Sequence, residues 1–144
     1  MSRDRLSFSV LGRPQPKGST RAFVPKGWAR PIVTSDNKGV KAWEQAVRYE
    51  AQRAAQGTFF SGPVALILSF DLPRPASLPK RVTEHITRPD LDKLTRAVGD
   101  ALTGVLWRDD SQVVCLDAEK HYAGVACGVR ITVQAMAVET GPRP

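Results

Sequence analysis

A chain of 144 residues, 42% of them hydrophobic and 24% charged, is long enough to bury one core and too apolar to stay disordered. Its 21 Lys and Arg outnumber 14 Asp and Glu, and the formal charge of +7 favours a polyanionic partner such as nucleic acid over an acidic protein. The longest apolar run, Val64-Ala-Leu-Ile-Leu, is too short to span a membrane, and no apolar leader follows Met1. Cys115 and Cys127 are too few for a disulfide scaffold and are expected as buried free thiols, which fits a reducing cytoplasm.

Leu6-Ser-Phe-Ser-Val-Leu alternates apolar and polar residues and predicts a first strand. It runs into Gly12-Arg-Pro-Gln-Pro-Lys-Gly-Ser-Thr-Arg, where two prolines and two glycines forbid regular structure. Arg13, Lys17, Arg21, Lys26 and Arg30 make this region basic; it reads as a solvated connection or as a DNA-facing arm. A short second strand is predicted over residues 29–34. Thr34-Ser-Asp-Asn then offers N-caps for a helix over residues 38–56, with Val40, Trp43, Val47, Ala51 and Ala54 on one face and Gly57 as its stop. A buried strand over residues 64–70 leads into a Pro-rich, basic loop over residues 72–81. A second helix begins near residues 89–91. Leu91, Leu94, Val98, Ala101 and Leu102 form its apolar stripe, and Asp92, Arg96 and Asp100 fall together on the other side. Gly104 and Trp107-Arg-Asp-Asp end it, and strands over residues 111–122 and 128–137 follow. The first five and last six residues are expected to fray. Nothing divides the chain. The expected fold is α/β (α+β), a single domain over residues 1–144 with one mixed sheet and two main helices packed on it.

Asp90 at the entrance of the second helix, Asp92 in its first turn and Asp110 just beyond its end stand out in a basic protein. Asp-x-Asp at a helix start is also ordinary capping chemistry, because the positive end of the helix favours carboxylates there. Asp109-Asp110 alone reads as a polar turn. A helix followed by a tight turn reverses the chain, and the next strand is expected to bring Asp110 back beside the helix start. Three converging carboxylates need a cation, because two like charges about 4 Å apart cost several kcal/mol at an effective dielectric near 20. Hard oxygen ligands select Mg²⁺ or Mn²⁺ over zinc. Arg96, one turn beyond Asp92, is placed to neutralise charge developing at a phosphate, or simply to pair with Asp92 along the helix. His85 and His121 are too few for a zinc site, and no Gly-x-Ser-x-Gly turn is present. With neither a P-loop nor Gly-x-Gly-x-x-Gly, no nucleotide cofactor is expected. Trp28, Trp43 and Trp107 read as core or rim residues rather than base-stacking platforms.

The block Arg88-Pro-Asp-Leu-Asp-Lys-Leu-Thr-Arg-Ala-Val-Gly-Asp-Ala-Leu-Thr-Gly-Val-Leu-Trp-Arg-Asp-Asp-Ser-Gln-Val resembles the central block of the RusA family of Holliday-junction resolvases. The basic segment from Gly12 and the Lys120-His-Tyr at the end of the following strand resemble its flanking motifs, and the match runs over roughly residues 6–136. The resemblance implies a Mg²⁺-dependent endonuclease (Mn²⁺ substituting) that acts on four-way and other branched DNA as a homodimer, in bacterial or phage recombination and repair. It implies Asp90, Asp92 and Asp110 as metal ligands and catalytic residues. The family's catalytic lysine falls on Arg96, which keeps the charge but does not readily donate a proton. Lys93 stands where many relatives carry Asn, and Asp109 is expected either to support the metal ligands from behind or to be a turn residue. Arg13, Lys17, Arg21, Lys26, Lys93 and Lys120 are the expected DNA contacts. The alternatives are a module that binds branched DNA without cutting it, for which Arg96 is the best support, and a less selective flap or single-strand nuclease.

Overall fold

The structure is a computed structural model, and it describes residues 3–18, 20–23, 26–27, 32–35 and 39–137. The strands are β1 (Arg5–Leu11), β2 (Thr20–Phe23), β3 (Ile32–Ser35), β4 (Val64–Leu72), β5 (Val113–Tyr122) and β6 (Gly128–Ala135). The helices are α1 (Val40–Ala55) and α2 (Leu91–Leu102), and a single 3₁₀ turn spans Asp110–Gln112. Four strands form a mixed sheet in the order β1-β6-β4-β5, while β2 and β3 pair separately. β6 runs antiparallel to both β1 and β4, and β4 runs parallel to β5. The parallel pair is joined through α2, as parallel strands require a long crossover. This is the expected α+β architecture: one mixed sheet with two helices.

Period-two patterning decides which face is covered. Leu6, Phe8 and Val10 of β1, Leu66, Leu68, Phe70 and Leu72 of β4, and Val129, Ile131 and Val133 of β6 are buried together. Against them lie Val40, Trp43, Val47, Ala51 and Ala55 of α1, and Leu94, Ala97, Val98, Ala101 and Leu102 of α2. The opposite face of the sheet is polar where β1 meets β6, with Ser7 and Thr132 hydroxyls 3.1 Å apart. At Gly128 the two backbones approach so closely that a Cβ would collide with the Val10 carbonyl oxygen.

Several expectations are corrected. Thr20 and Arg21 belong to β2, so the irregular part of the basic arm covers residues 13–18. The first helix starts at Val40 behind Gly39, which makes no side-chain cap; residues 36–38 lie outside the described residues. It stops at Gln56, in the left-handed region at φ 47°, with Gly57 next. The strand predicted from Ser111 begins at Val113, because Asp110–Gln112 form the 3₁₀ turn. Asp4 and Arg5 are tied in, the Asp4 carbonyl accepting from Ala135 N–H at 2.7 Å, while the tail beyond residue 137 lies outside the described residues. The cysteines are free, but Cys115 is exposed and Cys127 half-buried. Cys115 sits on β5, an edge strand whose outer residues have neighbours on one side only. No helix among the described residues is long and apolar enough to cross a membrane.

Candidate active site

Asp90 precedes the first turn of α2 with extended backbone angles (φ −72°, ψ 137°), the geometry of an N-cap. Its carboxylate nevertheless caps no backbone N–H. The plain capping role is therefore unfilled, and the charge is left facing outward, 3.7 Å from the Lys93 ammonium. Asp92 follows in the first turn, also exposed. Both carboxylates sit at the positive end of the helix, which favours them.

Asp90 lines a cleft of about 690 Å³ together with Arg13, Lys17, Arg88, Lys93, His85 and Tyr122. Cations thus surround a single carboxylate in its lining. One wall is the arm over residues 13–18, pinned where Lys17 N–H donates to the Lys93 carbonyl at 3.0 Å and Gly12 N–H to Cys127 at 3.1 Å. The other is the loop over residues 73–90, braced by Arg74, whose guanidinium donates to the Val82 and Pro79 carbonyls, each at 2.8 Å. The same guanidinium lies over the Tyr122 ring, 5.2 Å from its centroid, and His85 stacks on that ring at 4.4 Å.

Two expected phosphate contacts have other partners. The Lys17 ammonium lies 3.0 Å from Glu44 and 3.1 Å from Asp100, bridging α1 to α2. Burial is the largest single influence on it and acts to lower its pKa, but the hydrogen bonds and charges of Glu44 and Asp100 together outweigh burial, and the net shift is upward. The Lys120 ammonium donates to the carbonyls of Thr87 at 2.7 Å and Pro89 at 2.8 Å, directly before Asp90. With no DNA present, both ammonium groups thus have protein partners. Arg13 and Lys93 do line the cleft without such a double restraint. Lys26 is exposed, and the Arg21 side chain lies outside the described residues. Arg96 is exposed one turn along α2 from Asp92, with no ion-pair partner among the described residues.

Asp110 lies elsewhere. The Lys120 contacts place the end of β5 at the entrance of α2, so β5 runs back along the helix and begins at its far end. Asp110 precedes that beginning. The 12 residues of α2 put about 18 Å of helix between the two groups. No group of three or more His, Cys, Asp or Glu able to hold a metal ion forms among the described residues. Convergence within one chain therefore does not occur: the turn after α2 is short, but the strand it feeds must travel the whole length of the helix before reaching Asp90. Asp109 is the turn residue expected, accepting from Ser111 N–H at 2.9 Å in a capping box with Gln112. That backbone hydrogen bond, first among the causes, holds its carboxyl below the usual range.

His85, Tyr122 and Arg74 were not among the expected site residues. For Tyr122 the signal was the Lys-x-Tyr motif. For His85 and Arg74 no signal exists, because an irregular loop carries no periodicity.

Cations gathered around a helix-entrance carboxylate, on an α+β sheet, define a protein built to handle a polyanion. The particular lineage is clear from comparison: residues 12–134 match the family "Endodeoxyribonuclease RusA", and the chain belongs to that family. It is also similar to "Uncharacterized protein YqaN" of Bacillus subtilis (strain 168), at 29% identity over 130 residues, covering 83% of this chain and 89% of that protein. Membership carries endodeoxyribonuclease activity on branched DNA as the family's function.

Proposed function

We propose that the protein is a Mg²⁺-dependent endonuclease that resolves four-way DNA junctions by paired symmetric nicks, working as a homodimer in the cytoplasm. The observation that carries the reading is the uncapped Asp90 carboxylate, beside Asp92, opening on a cleft whose other charged lining residues are cations. Arg13 and Arg88 would hold backbone phosphates there, giving affinity without sequence information. Asp90 and Asp92 offer hard oxygen donors that suit Mg²⁺ or Mn²⁺, and Asp110 is the third of the set. The chemistry such an ion supplies is Lewis acidity at the scissile phosphate. Arg96, exposed one turn from Asp92, would stabilise charge developing in the transition state without giving up its proton.

The separation of Asp110 from the other two supports a site shared between subunits. Among the described residues β5 has no strand on its outer edge, and its Val114 and Leu116 are 62% and 54% exposed. Beside it a groove of about 490 Å³ is lined by Leu91, Asp92, Thr95, Leu116 and Ala118. Exposed apolar edge strands recruit partners. Two copies meeting antiparallel along β5 would bring the start of one strand towards the end of the other, and so the partner subunit's Asp110 towards Asp90 and Asp92. A two-fold axis also matches paired nicks in a junction of approximate two-fold symmetry.

The test is cleavage of a labelled, immobile four-way junction with Mg²⁺ or with EDTA, beside Asp92→Asn. Paired nicks that need both Mg²⁺ and Asp92, with junction binding spared in the variant, are expected. Tight binding without cutting in Mg²⁺ or Mn²⁺ would instead support a non-catalytic junction-binding module, the reading that Arg96 favours, and Arg96→Lys would then be the variant to assay. Comparable cutting of flaps or single strands would support the less selective nuclease.

A further inference from the structure

Among the expected DNA contacts, Lys120 is distinguished by an ammonium that reaches the chain immediately before Asp90. Its two hydrogen bonds, 2.7 Å to Thr87 and 2.8 Å to Pro89, end on backbone carbonyls of the last three residues before the carboxylate. Lysine has three donors and no acceptor, so two carbonyls use most of its capacity. Two residues further along β5, Tyr122 holds the same loop at a second point: His85 stacks on its ring, and Arg74 lies over it. His85 is 8% exposed, and both its sequence neighbourhood and Arg74 are thereby fastened to β5. The loop over residues 73–90 would otherwise hang from β4 at one end and α2 at the other. The Asp90 carboxylate makes no cap bond, and the residue's local contacts are the Lys93 ammonium at 3.7 Å and the Leu94 N–H, which donates to its carbonyl at 3.1 Å.

We propose that Lys120 is a positioning residue for Asp90, with Tyr122 as its partner in the latch: together they set the backbone of residues 87–89, and so the place of a metal-binding carboxylate. The assignment rests on the metal-dependent reading above. It gives the Lys-x-Tyr motif a physical role, since residues two apart on a strand point to the same face, here the face that carries the loop. Partners one step removed from a metal site commonly change metal affinity or activity by about 10–100-fold when removed.

The experiment compares wild-type protein, Lys120→Met and Lys120→Arg in three measurements: Mn²⁺ binding to the free protein by calorimetry, junction binding in EDTA over a salt series, and junction cleavage in Mg²⁺. For Lys120→Met we expect Mn²⁺ binding weakened by about tenfold, kcat lowered by about tenfold or more with KM little changed, and junction affinity and salt slope kept. Lys120→Arg, which keeps the charge and the donors, is expected to recover part of both losses; it also serves if Lys120→Met fails to fold. Loss of junction affinity in EDTA, with a salt slope shallower by about one, would make Lys120 a phosphate contact and overturn the assignment. Unchanged Mn²⁺ binding and kcat in Lys120→Met would overturn it as well, leaving the endonuclease reading intact. Wild-type protein that neither binds Mn²⁺ nor cuts would bring down the function and the positioning role together.

Discussion

The two ends of α2 carry aspartates of the same motif but are built in different ways. The exit is closed in part by its own sequence, although Gln112 also donates to the Phe60 and Gly62 carbonyls, each at 2.9 Å. Thr103 hydroxyl donates to Gly99 at 2.9 Å, and Trp107, wholly buried, donates its indole N–H to that hydroxyl at 3.1 Å. Gly104 turns the chain at φ 86°, and Asp109 caps the 3₁₀ turn that presents Asp110. Apart from those of Gln112, these fastenings join residues at most four positions apart in the chain. The entrance has less local closure, an Asp90–Lys93 pair at 3.7 Å and the first helical bond from Leu94 N–H. Asp90 makes no cap bond, and the preceding segment is held by Lys120 and Tyr122, more than thirty residues later in the chain. The local fastenings of the exit form with its helix, whereas the hold of Lys120 and Tyr122 on the entrance depends on β5 being in register with β4. The position of Asp110 is therefore expected to tolerate mutation at the entrance, and the position of Asp90 to be sensitive to the far end of β5.

The most decisive test of this contrast disables the two ends in separate chains. The Asp92→Asn and Asp110→Asn proteins, each alone, should lose cleavage by about 1,000-fold or more, since charge stabilisation at the scissile phosphate is the largest single effect available. If each site draws Asp110 from the partner subunit, mixing the two variants regenerates one intact site per heterodimer. Nicking should then return on one strand, visible as a nicked rather than resolved junction. Mixtures as inactive as their components would place each site within one chain and discard the shared arrangement. The next effect is on stability. Trp107→Ala removes a side chain with no solvent exposure and the anchor of the exit turn, and should cost about 3–5 kcal/mol in urea unfolding. That is a large fraction of the stability of a domain this size. A cost under about 1 kcal/mol would mean that the exit is not braced as described.

What the residues alone revealed follows the same division. The α2 stripe, the α1 stripe and the alternation in β1 were legible because periodicity records burial directly; Ala54 and Leu91 are only partly buried, and Ala55 and Ala97 are buried in addition. Asp109 was legible as a turn residue because its partners lie two and three positions away. The intramolecular partners of Lys17 and Lys120 were not. Only the fold shows Glu44 and Asp100 beside one, and two carbonyls beside the other. Each involves at least one partner 27 or more residues distant, beyond the reach of any local pattern. The expected meeting of Asp110 with Asp90 failed for a related reason: chain reversal fixes direction, but only the pairing of β5 with β4 fixes how far along the helix the strand begins.

The smallest effect concerns the entrance alone. His85 is pushed below its ordinary value of 6.5, first by burial and then by the Lys120 ammonium, against weaker backbone contacts at His85 and Thr87 that act upward. The unfolded chain thus takes up this proton at a higher pH than the folded chain does. Stability from this group is complete above pH 6.5 and is lost as the pH falls from there through the depressed folded value. Urea unfolding at pH 7.5 and 5.5, values about one unit either side of an ordinary histidine, should show lower stability at the acid end. His85→Phe keeps a ring against Tyr122 and removes the titration, so its two curves should lie closer together than those of the wild type. Nothing comparable is expected from the exit. There Asp109, held below the usual carboxylate range by Ser111 N–H, remains ionised across that window, and its stabilisation is lost only as the pH falls from about 3.8 through its depressed folded value. Wild-type curves that coincide at the two pH values would show that His85 is as accessible to protons in the folded loop as in the unfolded chain, and would remove burial by the latch as a feature of the entrance.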